Sequence, residues 1–147
     1  MKRERGFSLI ELLIVVAVIG IIAAIAVPNL MQSRLAANEA SAISSLRTLA
    51  TAQITFSATQ GNGQFTDDLA ILVANGLIDE ALGSGVKDGY TFDMGGGGDL
   101  FDVTAEPTTP DVTGRRGFFV DQTAVIRWGD GTADASSTPL GGTAVAP

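Results

Sequence analysis

Residues 3–20 read RERGFSLIELLIVVAVIG, and the apolar run they open continues almost to Arg34. Between Phe7 and Val27 the only strongly polar side chains are Ser8 and Glu11. Coiled as an α-helix, those 21 residues span roughly 32 Å, about the hydrocarbon thickness of a bilayer. Glu11 is out of place in such a segment, because a carboxylate in hydrocarbon is costly unless it is paired or protonated. Two physical devices can keep it there. Ser8-x-x-Glu11 ahead of an apolar run is a capping-box pattern, and the start of a helix favours negative charge. The other is pairing with a cation, or protonation, either of which lifts the penalty on the charge.

Upstream of the run the chain is basic. Lys2, Arg3 and Arg5 against Glu4 leave the first six residues at +2, so the remainder carries -9 of the total -7. A basic start before a long apolar run is an export or membrane signature, and the positive-inside rule keeps the start cytoplasmic. Ala24-Ile25-Ala26 has the small-x-small form of a signal-peptidase site. Against a cleaved secretory signal, a charge lies inside the apolar region and the helical pattern runs on past it.

The chain has neither cysteine nor histidine. That removes disulfides, thiolate chemistry and every triad that works through an imidazole. The acidic balance argues against nucleic acid as a partner.

Gly6-Phe7-Ser8-Leu9-Ile10-Glu11 resembles the prepilin cleavage and methylation motif of type IV pilins and type II secretion pseudopilins. Its parts are a short basic leader, a Gly, a Phe, and a Glu five residues into the mature chain. Gly20 and Pro28 sit where many family members have a Gly and a Pro, and TGRRGFFVDQTAVIRWGDG (residues 113–131) resembles the last strands of small pilin heads. The resemblance implies cleavage between Gly6 and Phe7 by a prepilin peptidase, then methylation of the Phe7 amine, which stays cationic. Glu11 would pair with that amine on a neighbouring subunit, and Gly20 and Pro28 would be further assembly positions. It also implies a homo-oligomeric helical filament, partnered by the peptidase-methyltransferase and the pilus assembly machinery, with no cofactor and no reaction of its own. The subunit would cross the inner membrane once before assembly and end in a periplasmic or cell-surface filament. A pseudopilin of a type II secretion system, major or minor, and a monomeric membrane-anchored binding protein are the alternatives.

Beyond the apolar run, Leu35, Ala42, Leu46, Leu49 and Phe56 recur at helical spacing among polar residues, and Gly61-Asn62-Gly63 ends the pattern. Pro28 lacks an N–H and should bend or locally melt the helix near residues 24–28. Thr66-Asp67-Asp68 and Gly76 bracket a short second helix. Alternation in GYTFDM, LFDVTAEP and GFFVDQTAVIRW predicts strands with one dry and one wet face, the last segment giving two strands joined at Asp121–Thr123. The fold expected is α+β. A long N-terminal helix, transmembrane in its first half and amphipathic in its second, packs under a small antiparallel sheet of three or four strands. The division is a leader over 1–6, a membrane or filament-core helix over 7–30, its amphipathic continuation over 31–60, and a globular head over 61–147 with a turn-rich tail.

Other groupings carry less. Gly95–Gly98 lacks the Lys-Ser/Thr and the helix that a phosphate loop needs, so it reads as a hairpin connection. Asp130 and Asp134 are weak calcium candidates, two acids being short of the 6–8 oxygens calcium takes. Asp93 and Asp102 could face each other on the wet side of the sheet, as a glycosidase pair would, but no pocket pattern accompanies them. Arg115-Arg116 reads as a pair of surface cations near acids, with a subunit contact as the other possibility.

Overall fold

A computed structural model describes residues 7–130 and 143–144. The chain divides into two compact units, Met1–Ser33 and Arg34–Pro147. Helix α1, Leu9–Thr59, contributes to both.

In the first unit every described residue of α1 is exposed, and the large apolar side chains from Leu9 to Met31 lie open on all sides. An apolar cylinder of this kind has no aqueous resting place. The helix is long and apolar enough to cross a membrane. The expected melting at Pro28 is not seen, since residues 24–28 are helical and Pro28 lies inside α1. One proline removes a single i→i−4 bond, and the bonds on either side are enough to keep the turn wound in the lone chain.

In the second unit α1 becomes one-sided. Leu35, Ala42, Leu46 and Leu49 are buried, and Phe56 is half-buried against the same core. Three polar residues are buried along the same stretch, Glu39, Ser45 and Gln53. Gln53 is fully buried; its Nε2 donates to the Thr66 carbonyl at 2.5 Å, and its Oε1 accepts the Thr66 N–H at 3.2 Å. This two-way bond closes the chain reversal that follows the helix.

Helix α2, Leu69–Ala74, starts at Asp68, whose carboxylate accepts the Ala70 N–H, and stops before Gly76 at φ 67°. Helix α3, Glu80–Gly83, was not expected. It is a single turn capped by Asp79, which accepts the Leu82 N–H at 2.9 Å.

The sheet is an antiparallel meander in sequence order. Its four longer strands are those anticipated: β2 Tyr90–Gly97, β3 Leu100–Pro107, β4 Arg116–Asp121 and β5 Arg127–Asp130. Two strands of two residues each, β1 Val86–Lys87 and β6 Thr143–Ala144, raise the expected three or four to six. β1 exists because Asp88 and Gly89, at φ 49° and 76°, form a two-residue turn that folds Val86–Lys87 back onto β2. Tyr90, Phe92, Met94, Phe101, Val103, Ala105, Phe118 and Val120 make the dry face and share one core with the α1 stripe. The other face is less wet than alternation implies. Thr104 and Phe119 stand opposite each other in register, and both are buried although they lie outside that core.

Candidate processing and assembly site

The first turn of α1 carries the residues picked out by the sequence. Ser8 precedes the helix and its carbonyl accepts the Leu12 N–H at 3.2 Å. Glu11 turns back, and its Oε2 accepts the Ser8 N–H at 3.0 Å. That is the glutamate half of a capping box, and it satisfies one of the donors a helix start leaves orphaned. The reciprocal bond from the helix to the Ser8 hydroxyl does not form among the described residues. Glu11 Oε1 has no partner among them either, so the cap uses one carboxylate oxygen. Phe7 is 86% exposed at the head of this turn. Gly6 lies outside the described residues.

Gly20 meets nothing: a Cβ added there would have no heavy atom within 4 Å. Nothing among the described residues requires glycine at this position. Pro28 shares the same open, apolar surface.

The remaining groups sort into structural roles. Asp134 falls outside the described residues and Asp130 is described only in its backbone, within β5. Among the described residues no group of three or more acids is placed to hold a metal ion. Asp93 and Asp102 are not directly opposite. Asp93 pairs in register with Thr104, and Asp102 with Gly95 on one side and Asp121 on the other. Burial pushes the Asp102 carboxyl above its ordinary value, and the charges of Asp93 and Asp121 push it the same way. Burial also works to raise Asp121, but bonds from the Thr123 hydroxyl and amide and from Arg127 outweigh it and leave that carboxyl lowered.

The two adjacent arginines differ. Arg115 is exposed and reaches Asp111 at 3.5 Å. Arg116 begins β4 and bonds Glu39 of α1 through Nε at 2.9 Å and Nη2 at 2.5 Å. Its guanidinium also lies 5.2 Å from the centre of the Trp128 ring. Sequence reasoning missed Glu39. The signal was its spacing: it stands four residues after Leu35, on a stripe otherwise apolar.

Residues 1–27 match the family described as the prokaryotic N-terminal methylation motif. The chain is 52% identical over 54 residues to the type IV major pilin protein PilA of Myxococcus xanthus, covering 37% of this chain and 24% of that protein. It is 38% identical over 77 residues to the type IV wide pilus major component PilA4 of Thermus thermophilus, covering 52% and 57%. It is 39% identical over 46 residues to the type II secretion system core protein G of Klebsiella pneumoniae, covering 31% and 33%. The chain therefore spans between about a quarter and somewhat over half the length of these curated relatives. No solved structure gives a significant match.

Proposed function

We propose that this chain, which carries the N-terminal methylation motif, is the structural subunit of a type IV pilus. A prepilin peptidase removes residues 1–6, the Phe7 amine is methylated, and the subunit polymerises through its apolar helix. It performs no reaction of its own. The observation that carries this reading is the state of Glu11. One oxygen caps its own helix and the other is unpartnered among the described residues, on a helix whose apolar surface is uncovered. A second subunit offers both things this helix lacks, an apolar cover and, in its methylated amine, a cation at the matching depth. The pair contributes register more than affinity, because a subunit shifted along the bundle strands both charges.

Before assembly the subunit would be held in the inner membrane by a single crossing of α1; afterwards it would lie in a periplasmic or surface filament. Gly20 and Pro28 would act in that assembly, where a glycine's small size and a proline's missing N–H matter to neighbours. The similarity to core protein G supports the second reading, a pseudopilin of a type II secretion system. A monomeric anchored binding protein would leave the apolar helix covered by lipid alone. Electron microscopy of cells with and without the gene tests the proposal. Surface fibres that depend on the gene are the expected result, fibres confined to the periplasm would favour the pseudopilin, and absence of fibres would favour the anchored monomer.

A further inference from the structure

The head offers two complementary features, and they lie on different parts of its surface. The first is an open, shallow cleft of roughly 360 Å³ along α1, with Ala52 and Leu77 as its apolar lining and Arg47, Thr48 and Thr51 beside them. Arg47 is exposed, and its guanidinium takes no hydrogen bond or ion pair among the described residues. The threonine hydroxyls are already committed, Thr48 donating to the Ser44 carbonyl at 3.1 Å and Thr51 to the Arg47 carbonyl at 2.9 Å. What the cleft lacks is a carboxylate for the guanidinium and an aliphatic group for its lining.

The second feature is the tight turn between β2 and β3. Leu100 is 58% exposed there, and the neighbouring Asp99 is exposed with no hydrogen bond or ion pair among the described residues. The turn is held rigidly: the Phe65 N–H donates to the Gly98 carbonyl at 2.7 Å, and the Gly98 N–H to the Phe65 carbonyl at 3.2 Å. Phe65 packs edge-on against Phe101, 4.8 Å between ring centres. A preorganised tip loses little freedom on docking. The comparable tip at Asp111–Val112 is a poorer candidate, because Asp111 already pairs with Arg115.

We propose that the Asp99–Leu100 turn of one copy seats in the Arg47 cleft of the next, Asp99 pairing with Arg47 and Leu100 covering Ala52 and Leu77. The two surfaces differ, so the contact is heterologous and repeats without closing, as an open helical polymer requires. The pair fixes partner and register, because a like charge at either position repels. This inference rests on the filament reading and adds to it a contact made by the heads, outside the apolar helix.

Charge exchange tests it in the full chain. Arg47→Asp and Asp99→Arg, each alone, should lower fibre yield by about tenfold relative to processed subunit in the membrane. The double exchange should recover most of the yield. In the chain's cysteine-free background, Thr51→Cys with Leu100→Cys should give a ladder of disulfide-linked multimers from oxidised fibres, and neither single cysteine should exceed a dimer. Unchanged yield in either single charge variant, no recovery in the exchange, or only monomer from double-cysteine fibres overturns the contact and leaves the filament reading standing. Absence of fibres from the unaltered chain removes both.

Discussion

Arg116 reaches across 77 positions of sequence to Glu39, whose two carboxylate oxygens are both engaged there. Oε2 accepts from Nε and Nη2, while Oε1 accepts the backbone N–H of Arg115 at 3.0 Å. One acid thereby fixes the start of β4 to the middle of the long helix.

Replacing Glu39 with Gln should destabilise the head by about 2 kcal/mol, the scale of hydrogen bonds to a charged group in a partly buried site. Urea denaturation of the full chain in detergent should show a lower midpoint with an unchanged slope. The pair also sets an acid dependence. Burial works to raise the Glu39 carboxyl, but the bonds and charge of Arg116 and the Arg115 amide leave it below its ordinary 4.5. Its contribution is therefore present above pH 4.5 and is lost as pH falls through the lower folded value. The Gln variant should lack that part of the acid transition.

Asp102 has the opposite sign. Burial and the charges of Asp93 and Asp121 raise its carboxyl, so its ionised form costs stability at neutral pH and the cost is relieved as pH falls. Asp102→Asn should stabilise the head at pH 7 by less than about 1 kcal/mol. The gain should shrink towards pH 4, which melting curves at several pH values would show.

Gly114 admits no side chain. A Cβ there would collide with the Tyr90 hydroxyl oxygen, which is bonded to the Arg116 carbonyl at 2.9 Å. Gly114→Ala should cost about 1–3 kcal/mol, the range for overpacking. Tyr90→Phe in the same chain should recover part of the loss, since it removes the nearest clashing atom; a urea series over the two variants measures this.

Processing is tested by mass. Fibres sheared from cells should contain a chain beginning at methylated Phe7, lighter than the precursor by residues 1–6. Gly6→Leu should leave the leader attached. A mature terminus at Val27 would identify a secretory signal instead.

Glu11→Gln separates the cap from the proposed pairing with a neighbour's amine. Gln can still accept the Ser8 N–H, so the cap survives. The charge is lost, and a neighbour's amine would be left buried and unpaired at a cost of roughly 3–5 kcal/mol. At 1.4 kcal/mol per factor of ten, that is about two to three powers of ten in the equilibrium for adding a subunit. The variant should be cleaved at Gly6 and accumulate in the membrane without fibres. Normal fibre yield from fully processed protein would leave the cap as Glu11's whole role.

The apolar run, the capping acid, the helical stripe and the four longer strands were legible because each is periodic or local. Glu39 and Gln53 were not, because their polarity hides them on a stripe recognised by hydrophobicity, and their partners Arg116 and Thr66 lie elsewhere in the sequence. Helix α3 and strand β1 are too short to show a period, although Asp79-Glu80 and Asp88-Gly89 were available as cap and turn signals. Thr104 looked solvent-facing from alternation alone; its register partner Phe119 shows that both sides of the sheet hold apolar material. A bend or local melting at Pro28 was expected from the missing N–H; of these the melting does not occur, since residues 24–28 remain helical.

Each strand of the head after β1 finds a hydrogen-bonding neighbour in the strand just before it. Pairing of this kind closes only short loops, and short closures are fast. A chain made from its N-terminus can therefore add strands one at a time, each to an edge already in place. The ties back to the long helix come at different points in this order, one before the first strand and one with the fourth. Gln53 can clasp Thr66 before any strand exists, whereas Glu39 must wait for Arg116. Until β4 arrives, Glu39 lacks the arginine that meets it in the folded head, so this tie between helix and sheet forms only with the fourth of the six strands.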